Sequence, residues 1–180
     1  MVYLFMADGM EEVEGLTVVD ILRRAGVELM TVSIMGRRNV VSSHKIEIMA
    51  DILFEDIKEP AEMLVLPGGI PGTPNLKAHE GLDGLIRESA EKNIYLAAIC
   101  AAPTVYGSKG LLKGKKATCY PGMEDELPGA EVSYDNVVVD DKFITSRGLG
   151  TAIDFGLKLV EILKGKEVAD SIADKIVYKR

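Results

Sequence analysis

Tyr95-Leu96-Ala97-Ala98-Ile99-Cys100-Ala101-Ala102-Pro103 is an apolar run that stops at a single cysteine among small residues, with a helix-compatible segment after it. The pattern predicts a buried strand leading into a nucleophile elbow, the sharp strand-to-helix turn that exposes a reactive side chain at a sheet end. Alanines at 98, 101 and 102 suit a turn in which backbone crowds against backbone. A cysteine at the start of the following helix would feel the partial positive charge of the helix N-terminus, which lowers thiol pKa and favours the thiolate. Cys100 also reads as a small core hydrophobe, the commonest role of a free cysteine.

Working outward, Val2–Ala7 is an apolar run ended by the turn signal Asp8-Gly9, and reads as a buried strand. Glu11–Ala25 has helical periodicity and closes with Arg23 and Arg24 ahead of Gly26. Val27–Ile34 reads as the next strand, and Val40-Val41 and Ile46–Met49 flank Ser42-Ser43-His44-Lys45 as a small hairpin. Met63–Leu66 is a further strand, cut off by Pro67-Gly68-Gly69. Asn75–Ala78 reads as a loop leading to a solvated His79, before a helix over Gly81–Lys92. Beyond the elbow, Lys115–Cys119 and Val137–Thr145 are strand-like, Ala152–Leu163 is an amphipathic helix between Gly150 and Gly165, and a last helix begins near Lys166. This alternation predicts a doubly wound α/β sandwich on a mainly parallel sheet, formed as one domain over residues 1–180.

Composition narrows the function classes. The net charge of −7 argues against nucleic-acid binding, which calls for a basic face. Two cysteines make no disulfide framework, and no C-x-x-C, histidine cluster or H-E-x-x-H spacing offers a metal site. The N-terminus turns polar too quickly for a signal peptide, and no apolar run reaches membrane-spanning length. The expectation is a cytoplasmic protein with no membrane partner.

In open parallel sheets, ligands sit beyond the carboxyl ends of the strands. Asp8-Gly9, Pro67-Gly68-Gly69 and Cys100 all fall there. Glu14 shares a helix face with Val18, Ile21, Leu22 and Ala25, so the first helix aims a carboxylate along its apolar side. Desolvation there would raise its pKa and let it hydrogen-bond a thiolate or act as general acid and base. The alternative is a first-turn acid facing water, which Glu11 and Glu12 fit better. Gly68-Gly69 reads either as a tight turn or as a loop of backbone donors. In the second reading the N–H groups of Gly69 and Ala101 form an oxyanion hole. Gly148-Leu149-Gly150 lacks the third glycine of a dinucleotide loop and opens a late helix, so nucleotide binding is rejected.

Four blocks together resemble the DJ-1/ThiJ/PfpI superfamily, and its DJ-1 branch in particular. They are Ala7–Glu14, Val65–Gly69, Ala97–Pro103 and Thr145–Thr151, in that family's order and spacing. The resemblance implies a flavodoxin-like three-layer sandwich that forms a homodimer, without a cofactor. It also implies a reactive Cys100 hydrogen-bonded to a protonated Glu14, with backbone amides from Gly69 and Ala101. Implied activities are glyoxalase-type conversion of methylglyoxal to lactate, deglycation, oxidant sensing through cysteine oxidation and chaperone-like protection, with a small aldehyde or oxidant as partner. Peptidase branches carry a histidine directly after the cysteine, where this chain has Ala101, so the proton shuttle of a Cys-His protease is missing. Where the DJ-1 branch often has a histidine, this chain has Tyr120, which either orients substrate or packs. His44 aligns with a basic position near the dimer interface and pocket, and its other reading is a surface loop. Cys119 reads as a buried strand cysteine or, on a strand beside the elbow strand, as a redox partner for Cys100.

Overall fold

The computed structural model describes residues 1–179. The strands are β1 (Val2–Met6), β2 (Leu29–Ser33), β3 (Asn39–Val41), β4 (Glu47–Met49), β5 (Ile52–Leu53), β6 (Met63–Leu66), β7 (Tyr95–Ile99), β8 (Lys116–Ala117), β9 (Glu131–Val132), β10 (Val137–Asp140) and β11 (Phe143–Ser146). The helices are α1 (Glu12–Arg24), α2 (Gly72–Ala78), α3 (Glu80–Glu91), α4 (Pro103–Gly107), α5 (Ala152–Lys164) and α6 (Lys166–Lys175).

Seven strands form the central sheet in the order β10-β11-β7-β6-β1-β2-β5. Every pairing in it is parallel except that of β10 with β11. Side chains of a strand alternate between faces, and both faces here are covered. Val2, Leu4 and Met6 join Val65, Ala97 and Ile99 in a core with α1, α5 and α6 residues such as Leu22, Phe155 and Ile172. Tyr3 and Phe5 join Leu64, Leu66, Leu96 and Ala98 in a second core, closed by Leu76, Leu82, Ile86 and Tyr106. Burial on both faces explains why these strands read as unbroken apolar runs. Chain order reverses between β1 and β6, since β2 lies on one side of β1 and β6 on the other. That switch point opens the crevice at the carboxyl ends of the strands.

Several expectations are corrected. Asn75–Ala78 is not a loop but the end of α2, whose Gly72 and Pro74 are poor helix formers. Tertiary contacts override propensity there: Leu76 is buried, and the Asn75 side-chain amide donates to the Asp8 carbonyl at 2.9 Å. His79 is not a free surface residue. It caps α3, its Nδ1 accepting the Leu82 N–H at 3.0 Å, and its ring stands edge-on to Phe54. Val137–Thr145 is two antiparallel strands, because Asp141 turns the chain at φ +55°. Lys115–Cys119 contributes only β8, paired with β9 in a separate small sheet, so the neighbours of β7 are β6 and β11. The hairpin of β3 and β4 forms as expected.

Candidate active site

The elbow begins where β7 ends. Cys100 has φ +65°, a left-handed conformation that costs a non-glycine residue about 1–3 kcal/mol. Two flanking segments hold it there: the Cys100 N–H donates to the Ser146 carbonyl at 2.9 Å, and its own carbonyl accepts the Tyr120 N–H at 2.7 Å. The helix expected directly after the cysteine is displaced. α4 starts at Pro103 and has five residues, so backbone amides close to the sulfur replace a helix terminus as donors. Those of Ala101 and Gly69 hydrogen-bond to Cys100.

Glu14 comes from the first turn of α1 and is 1% exposed. Its Oε2 accepts the Gly68 N–H at 2.9 Å, and the carboxyl hydrogen-bonds Cys100. The position of Gly68 explains its residue type. A Cβ there would lie 2.6 Å from the Cys100 Cβ and 2.8 Å from Glu14 Oε2. The loop itself is pinned, with the Gly68 carbonyl accepting from Glu11 N–H and the Gly69 carbonyl from Thr73 N–H, both at 2.9 Å.

Burial dominates the electrostatics. It pushes Glu14 up to about 7, reinforced by the nearby charge of Glu11 and opposed by the bonds to Cys100 and Gly68. The Cys100 thiol is pushed up to about 12, first by burial and then by the Glu14 carboxylate, against the pull of the Ala101 and Gly69 amides. This corrects the expectation of an acidic thiol. Two acids in contact titrate as a pair, and the high value belongs to the second proton, whose loss leaves two adjacent negative charges. Between the two values the pair holds one proton. When Glu14 carries it, the charge lies on a sulfur that receives one O–H and two N–H bonds.

The same shift makes a stability prediction. In the fold Glu14 keeps a proton up to about pH 7, whereas its unperturbed value is 4.5. Native chains therefore hold more protons than unfolded chains across that window, and stability falls as pH rises through it, by on the order of 3 kcal/mol. Urea denaturation at pH 5 and pH 8 is expected to show this fall in wild type and a flattened response in Glu14→Gln. Equal slopes in the two proteins would refute it.

The other candidates are placed as follows. Tyr120 is half exposed and lies over Gly148, its ring carbon Cδ2 3.5 Å from where a Gly148 Cβ would stand. That same point is 3.9 Å from Glu14 Oε1, so Tyr120 and Gly148 flank the carboxyl. They line a cleft of about 330 Å³ with Pro121, Arg147, Leu149 and Thr151. A larger cleft of about 550 Å³, between the β10 end and α5, is lined by neither Cys100 nor Glu14. His44 lies on the exposed tip between β3 and β4, where its Nδ1 is 2.9 Å from Glu12 Oε1. Its partners are therefore Glu12, Glu11 and Ser43 rather than the thiol. Cys119 is buried in the second core while Cys100 packs against the first, and both are free thiols. The two thiols pack against different hydrophobic clusters, while Tyr120, the residue after Cys119, is bonded through its N–H to the Cys100 carbonyl. Sequence reasoning missed Ser146 and Gly148 as site residues, although both lie in the quoted block Thr145–Thr151.

A flavodoxin-like α/β sandwich with a cysteine elbow beside a buried carboxyl defines the class. Within it the chain belongs to the DJ-1/PfpI family, whose sequence model matches residues 1–162. It is similar to the DJ-1 homolog B of Arabidopsis thaliana, 37% identical over 97% of this chain and 40% of that protein, so it spans about two fifths of the plant relative's length. A glutathione-independent glyoxalase of Caenorhabditis elegans is 32% identical over 90% of this chain and 87% of its own. Among solved structures, oxidized DJ-1 of Toxoplasma gondii superposes with a TM-score of 0.96 at 34% identity, covering 99% of this chain and 98% of that one. Among the described residues, no helix is long and apolar enough to cross a membrane.

Proposed function

We propose that the chain is a cofactor-independent glyoxalase that converts methylglyoxal and related small α-oxoaldehydes to 2-hydroxy acids at Cys100. The observation that carries this reading is the buried Glu14 carboxyl, held near neutrality in its titration and hydrogen-bonded to the thiol. The name of the nematode relative supports the same activity.

In this mechanism the sulfur adds to the aldehyde carbon, and the oxygen becomes an alkoxide held by the Gly69 and Ala101 amides. Glu14 gives that oxygen its proton, producing a hemithioacetal. The ionised Glu14 then takes the hydrogen from the former aldehyde carbon. The electron pair left behind forms an enediolate, and Glu14 returns the proton to the neighbouring carbon. A lactate thioester remains on Cys100. Water adds to it, the sulfur leaves with the bond pair, and lactate departs. The aldehyde carbon is oxidised as the ketone carbon is reduced, so no external oxidant or reductant enters. The pair must begin with one proton, so activity is expected to rise as pH passes about 7. Lactate formation followed by proton NMR, without glutathione, from pH 5.5 to 9 tests this. No lactate at any pH would refute the reading.

A second reading is oxidant sensing, in which peroxide takes Cys100 through the sulfenic to the sulfinic acid. The donors that would stabilise an alkoxide, Gly69 N–H, Ala101 N–H and protonated Glu14, equally suit an oxygen on sulfur, and the Toxoplasma relative is described as oxidized. Gain of two oxygens on Cys100 by mass spectrometry, without lactate formation, would favour it. Either reading belongs to a cytoplasmic homodimer, with mass by light scattering as the check on assembly.

A further inference from the structure

We propose that Thr145 is a positioning residue, its hydroxyl holding in place the segment that aims the Ala101 N–H into the site; its part in turnover rests on the glyoxalase reading above. Within one peptide unit the C=O and N–H share a plane and point in opposite directions, so fixing the oxygen fixes the direction of the hydrogen. The Ala101 N–H, which hydrogen-bonds Cys100, belongs to the same peptide unit as the Cys100 carbonyl. That carbonyl accepts the Tyr120 N–H at 2.7 Å. The second donor is fixed in the same way, since the Gly68 carbonyl, in the peptide unit of the Gly69 N–H, accepts the Glu11 N–H at 2.9 Å.

The two anchors differ in their support. Glu11 is the N-cap of α1 and is carried by a helix. Tyr120 follows a segment that leaves β8 at Ala117, and Thr118 and Cys119 belong to no strand or helix. The tie from this segment to β11 is a side chain: Thr145 Oγ1 accepts the Thr118 N–H at 2.9 Å. Both threonines are 1% exposed, so bulk water does not replace that bond. β11 therefore grips the elbow twice. The Ser146 carbonyl takes the Cys100 N–H directly, and Thr145 holds Thr118, two residues before the N–H on the Cys100 carbonyl. Without the hydroxyl, the chain between β8 and Tyr120 loses its anchor, and the Ala101 N–H loses its aim.

Thr145→Val removes the acceptor at nearly constant volume, and Thr145→Ser keeps it. Lactate formation in Thr145→Val is expected to show kcat lowered at least tenfold with KM changed less than twofold, because the amide is needed most where charge develops on the substrate oxygen. Iodoacetamide alkylation of Cys100 at pH 7 is expected to slow at least threefold, since the same amide stabilises the thiolate. Thr145→Ser should restore both to within threefold of wild type. Thr145→Ala also lacks the hydroxyl and carries the test if the valine variant does not fold. Thr31→Val is the control: it removes another buried threonine hydroxyl, bonded to Asp51 on β2, three strands from β7, and both readouts should stay at wild-type values. Unchanged kcat and alkylation in the hydroxyl-free variants, or equal losses in Thr31→Val, would overturn the proposal. Alkylation needs no substrate, so a wild type that forms no lactate refutes the glyoxalase reading while the alkylation comparison still decides the role of Thr145.

Discussion

Cys100→Ser is expected to lower lactate formation by at least about 10³-fold, equivalent to about 4 kcal/mol of lost transition-state stabilisation. The substitution nearly preserves shape, so the elbow bonds to Ser146 and Tyr120 persist and the loss falls on chemistry. A serine hydroxyl holds its proton far more tightly than a thiol. Glu14, poised at about 7, can share a proton with sulfur but cannot leave an alkoxide behind. Glu14→Gln is the companion variant. Its amide oxygen still accepts the Gly68 N–H, yet it has no proton to move, and a loss of roughly 10²–10³-fold is expected. The rise in activity through pH 7 should vanish with it. Turnover within tenfold of wild type in Cys100→Ser, with unchanged circular dichroism, would remove the thiol from the mechanism.

Gly69→Ala should be among the most damaging glycine substitutions in the fold, at about 3–5 kcal/mol. Two costs combine. Gly69 has φ +94°, where an L side chain is strained by about 1–3 kcal/mol. Its new methyl would lie 2.3 Å from Glu11 N and 2.5 Å from the Gly9 carbonyl oxygen. Both are backbone atoms that no rotamer change can move, so overpacking adds about 1–3 kcal/mol. Gly26→Ala is the control, since Gly26 has φ +67° but nothing within 4 Å of its missing Cβ. It should lose only the conformational part, about 1–2 kcal/mol. Urea denaturation of the two variants at pH 7 reads the difference, and equal losses would show that the contact carries no cost.

The sheet was legible in sequence because each central strand is buried on both faces, leaving short apolar runs cut by Gly, Pro or Asp. Val2–Met6, Met63–Leu66 and Tyr95–Ile99 all have this form. Glu14 was legible too, as a first-turn acid on the same helix face as Val18 and Leu22. What escaped depends on partners distant in the chain. The helical state of Gly72–Ala78 follows from the burial of Leu76 and the bond of Asn75 to Asp8, neither of which periodicity records. The raised titration of Cys100 needs the second acid at contact distance and the burial around both. The meeting of His44 with Glu12 spans 32 residues and rests on how a small hairpin folds over α1.

The bond from Cys100 N–H to the Ser146 carbonyl also bears on synthesis. A chain leaving the ribosome presents its cysteine well before it presents the carbonyl that fixes the elbow, and Gly148 beside Glu14 emerges later still. During that interval the thiol has neither its left-handed backbone nor its full wall, so the newborn chain carries an ordinary cysteine. The geometry of this site is therefore acquired only once β11 has been made, and fragments ending before β11 lack the means to assemble it.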